Sequence, residues 1–124
     1  MAAIKGRNTK PELVVRSALH RAGLRFRLHR KDLPGRPDIV LPRFRVAVFV
    51  QGCFWHRHNC ARFVWPRTRH AFWRAKLLAN VARDRRNQRL LRQLGWRVQL
   101  VWECQMASER LDALVATIRD GGND

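Results

Sequence analysis

The chain has 124 residues, enough for one hydrophobic core and too few for two. Its 46% hydrophobic and 28% charged residues describe a folded soluble domain, and the longest apolar run, VAVFV at residues 46–50, falls far short of the ~18 residues of a membrane span. Lys and Arg total 26 against nine acidic residues, a formal charge of +17 that favours nucleic acid as partner over an anionic membrane, since no basic amphipathic helix stands apart from the core pattern.

The first ten residues, MAAIKGRNTK, carry no apolar stretch of the kind a secretory signal needs, which predicts a reducing, cytoplasmic compartment. Three thiols there are expected to be free or metal-bound rather than paired. NTKPELVVRSALHRAG then opens a helix with Thr9 as N-cap, Pro11 in the first turn and Glu12 three residues after the cap, and Gly23 closes it. LRFRLHR alternates Leu24, Phe26 and Leu28 with basic residues, the period of a half-buried strand. After the turn-rich DLPGRP, two strands follow, DIVL and FRVAVFVQ, joined by Pro42 and Arg43, and the second is apolar enough to be central.

ARFVWPRTR reads as loop, and HAFWRAKLLANVARDRRNQRLLRQLG as a long helix ended by Gly95. WRVQLVW predicts a strand with Val98, Leu100 and Trp102 on one face and Arg97, Gln99 and Val101 on the other. A last helix over residues 108–119 carries Leu111, Leu114, Val115 and Ile118 at helical spacing, before a frayed GGND. The order of elements predicts a single α/β domain over residues 1–124, with a mixed central sheet flanked by helices.

Between the central strand and the long helix lies GCFWHRHNC. Cys53, His58 and Cys60 offer two thiolates and an imidazole, and Cys104 ends the WRVQLVW strand. If that strand lies beside the one that launches the cluster, three Cys and one His make a closed tetrahedral zinc set, structural because it leaves no position for substrate; incidental cysteines are the alternative. His56 is left over: if His58 turns toward zinc, His56 can face elsewhere, the plain alternative being a surface or packing histidine. Asp38, in so basic a chain, is either a solvated salt-bridge partner or a magnesium ligand. A hairpin of DIVL and FRVAVFVQ would bring it to Val50, Gln51 and the cluster, a convergence suited to metal-assisted phosphodiester hydrolysis with a histidine handling a proton.

LPGRPDIV, FVQGCFWHRHNC, RDRRNQRLLRQLGWRV and VWEC together resemble the very short patch repair (Vsr) endonucleases, from Ile4 to about Cys104. The resemblance implies an enzyme of restriction-endonuclease-like fold with an added structural zinc. It implies Mg²⁺-dependent nicking of duplex DNA 5′ of the thymine in a T:G mismatch. It assigns Mg²⁺ to Asp38 and the backbone carbonyl of Val50, catalysis to His56, and zinc to Cys53, His58, Cys60 and Cys104. It assigns wedging beside the mismatch to Phe54, Trp55 and Trp73, and contact with the mismatched pair to Lys76 and Asn80. Coverage of the zinc site and a solvated helix face are the plain alternatives for these DNA-contact residues. Glu12 matches an acidic position near the family's active site and is also the capping-box partner of Thr9.

Two departures stand out. Gln51 replaces a second active-site histidine; it can hydrogen-bond phosphate or water but cannot titrate near neutral pH. The chain also starts about midway through the family's DNA-embracing N-terminal segment, so residues 1–10 are expected to grip DNA weakly. A monomer at the bacterial nucleoid is the expected working form. A catalytically weak mismatch- or DNA-binding protein, or a related nuclease of different DNA specificity, are the rival readings.

Overall fold

VAVFVQ becomes β3 (Val46–Gln51), the central strand that the sequence predicts, and the sheet is assembled around it. The computed structural model describes residues 9–121. Most of the expected DNA-embracing segment (residues 1–8) and the end of the expected frayed tail (residues 122–124) lie outside the described residues. On one side β3 pairs antiparallel with β2 (Ile39–Leu41), which in turn pairs antiparallel with β1 (Arg27–Leu28). On the other side it pairs parallel with β4 (Arg97–Trp102), giving a mixed sheet of order β1-β2-β3-β4. A parallel neighbour requires a crossover, which α2 (His70–Gln93) supplies.

The first helix, α1 (Lys10–Arg21), starts as its sequence predicts: Thr9 is extended and its Oγ1 accepts the Glu12 amide at 3.4 Å, with Pro11 in the first turn. Val15, Ala18 and Leu19 form its buried stripe. Beneath α1 and α3 (Ser108–Gly121), one sheet face buries Ile39, Leu41, Val46, Val48 and Val101 against Leu19, Leu111, Leu114 and Ile118. The opposite face, under α2, buries Val40 and Ala47 with Leu91 and Trp96, and Val98 packs against this second cluster. Val98 and Val101 therefore point to opposite faces, as the two-residue period of WRVQLVW requires, and both faces are covered.

Two expected strands are shorter in the structure. LRFRLHR pairs only at Arg27 and Leu28: Leu24 is buried beneath the end of α1, whereas Leu28 is exposed, and His29 at φ 50° ends the ladder. FRVAVFVQ enters the sheet at Val46 because Phe44 and Arg45 are used in the turn, where their amides donate to Leu41 and Pro42 carbonyls and Arg45 adopts φ 53°. Gly35, at φ +78°, brings the LPGRP loop against α2, where a Cβ would stand 3.0 Å from Asn87 Cβ and 3.1 Å from the Phe49 ring. No helix among the described residues is long and apolar enough to cross a membrane.

This topology gathers the chemistry at one sheet edge. Strands β3 and β4 are parallel, with Gln51 opposite Trp102, so both chains leave the sheet at the same end. The antiparallel β2 begins at that end, immediately after Asp38.

Candidate active site and metal centre

Asp38 is held at this edge by the backbone of the neighbouring strand: its Oδ2 accepts the Val50 N–H at 2.8 Å. Burial pushes its carboxyl up to about 6, against the Val50 hydrogen bond, which lowers it; the Glu12 charge adds to the rise, and His29 and His56 oppose it. A carboxylate so placed ionises more readily beside a cation. Asp38, Val50, Gln51 and His56 line an open cleft of about 520 Å³, with Arg36 and Arg83 at its wall. Gln51 is 4% exposed, so the departure from histidine lies at a buried position of the cleft.

His56 Nδ1 stands 2.5 Å from Asp84 Oδ2, leaving the other ring nitrogen to act. Asp84, on α2, also lines the cleft and is the functional candidate that sequence reasoning missed. A signal for it existed. Trp73, Lys76, Asn80 and Asp84 follow at i, i+3, i+7 and i+11, one helix face, and Asp84 is the one acid of α2 among Arg83, Arg85 and Arg86.

Behind Asp38, the Glu12 carboxylate is almost completely buried and reaches across to His29, with Oε2 and Nε2 2.7 Å apart, while Arg16 pairs with the same oxygen at 2.5 Å. Ligand atoms of Glu12, His29 and Asp38 lie within 4.8 Å of one another, so this group could hold a metal ion. His29 was read from sequence only as part of a strand.

A second group that could hold a metal is Cys53, His58, Cys60 and Cys104. Parallel pairing brings its distant member in: beyond Gln51 and Trp102, the Glu103 amide donates to the Gln51 carbonyl at 3.0 Å, and Glu103 Oε1 accepts the Cys53 amide at 2.9 Å. His58 turns Nδ1 inward, 3.7 Å from Cys53 Sγ and 3.5 Å from Cys104 Sγ, with its ring stacked on Trp102 at 3.9 Å and 5°. A tetrahedral ion with ordinary N and S bond lengths would separate such atoms by about 3.6 Å. Burial pushes the Cys53 thiol up to about 12, and its hydrogen bonds with Cys60 and Cys104 add to the rise, so a thiolate there needs a cation beside it.

Phe54, Trp55 and Trp73 form one aromatic cluster: ring centroids lie 5.1 Å apart for Phe54 and Trp55, 5.6 Å for Phe54 and Trp73, and 5.9 Å for Trp55 and Trp73. Phe54 and Trp73 are half-buried, and Trp55 is 39% exposed. Asn80 donates through Nδ2 to the Trp55 carbonyl at 3.1 Å, tying the aromatic loop to α2, and Lys76 is exposed on the same helix. Arg74, Lys76, Arg83, Arg85, Arg86, Arg89 and Arg92 make α2 strongly cationic, and Arg83 among them lines the cleft.

A family model described as DNA mismatch endonuclease Vsr matches residues 1–62. The type II nicking enzyme V.XorIIP of Xanthomonas oryzae pv. oryzae is 50% identical over 120 residues, covering 97% of this chain and 87% of the relative. The DNA mismatch endonuclease Vsr of Escherichia coli is 48% identical over 106 residues, covering 86% and 68%. The type II nicking enzyme V.NmeAIP of Neisseria meningitidis is 39% identical over 125 residues, covering 97% and 89%. The family model covers the first half of the chain and the relatives' matches cover 86–97% of it, and on them the chain belongs to the Vsr family of DNA mismatch endonucleases.

Proposed function

We propose that the chain is a Mg²⁺-dependent endonuclease that nicks duplex DNA 5′ of the thymine in a T:G mismatch, working in very short patch repair. In this reading residues 1–124 act as one restriction-endonuclease-like domain, a cytoplasmic monomer at the nucleoid. The observation that carries it is the meeting of Asp38, bonded to the Val50 amide, with the His56–Asp84 pair in one cleft beside a cationic helix. Family membership supports the DNA substrate.

Asp38 and the Val50 carbonyl would hold Mg²⁺, which supplies a Lewis acid for the scissile phosphate. Hydrolysis forms a bond from a water oxygen to phosphorus and breaks one from phosphorus to a sugar oxygen. His56, oriented by Asp84, transfers the proton that this exchange requires. Gln51 hydrogen-bonds phosphate or water in the same cleft, and the buried Glu12 carboxylate acts behind Asp38 as well as in the first turn of α1. Cys53, His58, Cys60 and Cys104 would hold Zn²⁺: the spacing of His58 Nδ1 from two sulfurs supports a tetrahedral ion, and three thiolates with one imidazole suit zinc. Phe54, Trp55 and Trp73 would stack beside the mismatch, with Lys76 and Asn80 facing the mismatched pair.

The test is nicking of a T:G duplex against its matched control, with Mg²⁺ and with chelator. Cleavage confined to the thymine strand, dependent on Asp38, supports the reading; equal cleavage of the matched duplex rejects it. The buried Gln51 favours one rival, a mismatch-binding protein with little turnover, and Gln51→His separates the two. If the wild type is silent and the substitution restores nicking, the rival holds. Relatives called type II nicking enzymes favour a second rival, a Vsr-like nuclease of different DNA specificity, which varied bases around the mismatch would reveal.

A further inference from the structure

Among the described residues, five other than glycine adopt the left-handed backbone region: His29, Arg36, Arg45, Arg57 and Arg69. That conformation is costly for a residue with a Cβ, so it persists where the surrounding structure makes use of the side chain. Four of the five are used inside the protein. His29 meets Glu12, Arg45 donates to the Leu94 carbonyl and lies over Trp96, and Arg57 and Arg69 lie over Trp65 and Phe72. Arg36, at φ 49°, is exposed, and its side chain makes no hydrogen bond, ion pair or ring contact among the described residues. Its place is nevertheless fixed. Its amide donates to the Leu33 carbonyl at 3.0 Å, Pro37 behind it is fully buried, and Gly35 in front is pressed against Asn87 and the Phe49 ring. Arg36 thus lines the Asp38 cleft together with Asn87 and Gln88 of α2, whose half-buried amide side chains also have no hydrogen-bond partner among the described residues. The acids of the cleft are engaged elsewhere: Asp38 with the Val50 amide and Asp84 with His56.

We propose that Arg36, Asn87 and Gln88 form a second phosphate subsite in the cleft, which holds a phosphodiester of the cut strand next to the one that is hydrolysed. That the strand is the cut one rests on the function proposed above. A guanidinium fork and two amide NH₂ groups supply donors for the non-bridging phosphate oxygens, together with a charge to match. The cleft, at about 520 Å³, falls in the ~300–1,000 Å³ range of sites that enclose a whole small ligand, so one phosphate leaves room for its neighbour. Amides also read base edges, but an otherwise unpaired guanidinium favours the anion. Held at two phosphates, the strand is fixed in direction as well as in place, which aligns the scissile bond with Asp38 and His56.

The experiment compares wild type, Arg36→Gly and Arg36→Lys on T:G duplexes in which single phosphates around the mismatch are replaced, one at a time, by uncharged methylphosphonates. Binding is measured with chelator, so that nothing is cut, and single-turnover nicking with Mg²⁺. Arg36→Gly should keep or raise Tm, because glycine suits φ 49°, while it weakens binding about 10-fold and reduces the salt slope of log K by about 0.9, the share of one phosphate contact. Arg36→Lys keeps the charge without the fork and should recover part of the loss. One methylphosphonate, beside the scissile position, should weaken wild-type binding by about the same factor and leave Arg36→Gly indifferent. Losses that add at every position overturn the proposal, as does wild-type affinity in Arg36→Gly or a loss that follows base identity instead of phosphate charge. Should Arg36→Gly fold poorly, Gln88→Ala carries the same comparison, and additive losses there also overturn it. Asp38-dependent nicking without this coupling would sink the subsite and leave the nuclease reading standing; coupling in the binding measurement without Asp38-dependent nicking would do the reverse.

Discussion

His56 Nδ1 and Asp84 Oδ2 stand 2.5 Å apart although 28 residues separate them, one in the loop after β3 and the other midway along α2. The pair engages one ring nitrogen of His56, a residue that lines the same cleft as Asp38. Asp84→Asn should therefore slow nicking about 10–100-fold while DNA affinity changes little, since the cationic surface remains. Single-turnover rates measured beside a binding titration check this, and Asp84→Glu should recover part of the rate. A loss of binding equal to the loss of rate would mark Asp84 as structural.

Asp38 makes stability depend on pH in a stated direction. Its carboxyl keeps its proton up to about 6 in the fold but only to 3.8 when unfolded, so the folded state binds more protons between these values. Metal-free protein should lose roughly 2–3 kcal/mol as pH rises through that window. Asp38→Asn keeps an oxygen for the Val50 amide and removes the ionisation, so it should raise Tm above pH ~7 and leave it unchanged near pH ~4. The same substitution should abolish nicking and spare DNA binding. Thermal melts at several pH values, without added divalent ions, decide the first half.

The cysteine–histidine group should hold one zinc per chain. Structural zinc contributes about 10–16 kcal/mol in model peptides, and here it would tie the loop after β3 to Cys104 just beyond β4, where the Cys53 amide already meets Glu103. Cys104→Ser should lower Tm by ~10 °C or more and weaken zinc retention. Metal analysis of protein purified without chelators gives the stoichiometry, and a zinc-free, fully folded wild type would end the idea.

Trp73 and Trp55 should matter to mismatched DNA more than to folding, because Trp55 is substantially exposed and the Trp73 ring packs chiefly within the aromatic cluster. Loss of one stacking contact is worth about 1–3 kcal/mol, so Trp73→Ala should weaken T:G duplex binding by about tenfold or more. Matched-duplex binding, set by phosphate contacts, should hold. Parallel losses on both duplexes would argue against a wedge.

Local signals in the sequence determined much of this protein. Thr9, Pro11 and Glu12 define the start of α1 because capping is settled within four residues, and the VAVFV of residues 46–50 declares a central strand because a run of adjacent apolar residues suits a strand covered on both faces. The grouping of Cys53, His58 and Cys60 was equally legible, since close chain spacing forces proximity. Tertiary structure alone decided the rest. LRFRLHR has the period of a longer strand, yet its pairing stops at Leu28, where His29 turns into the left-handed region, and no alternation of residues reports that. Asp84 meets His56, and His29 meets Glu12, through contacts spanning 28 and 17 residues, which depend on how α2 and α1 pack on the sheet. Helical spacing placed Asp84 on the right face of α2, but a face becomes a partner only when packing chooses what lies opposite it.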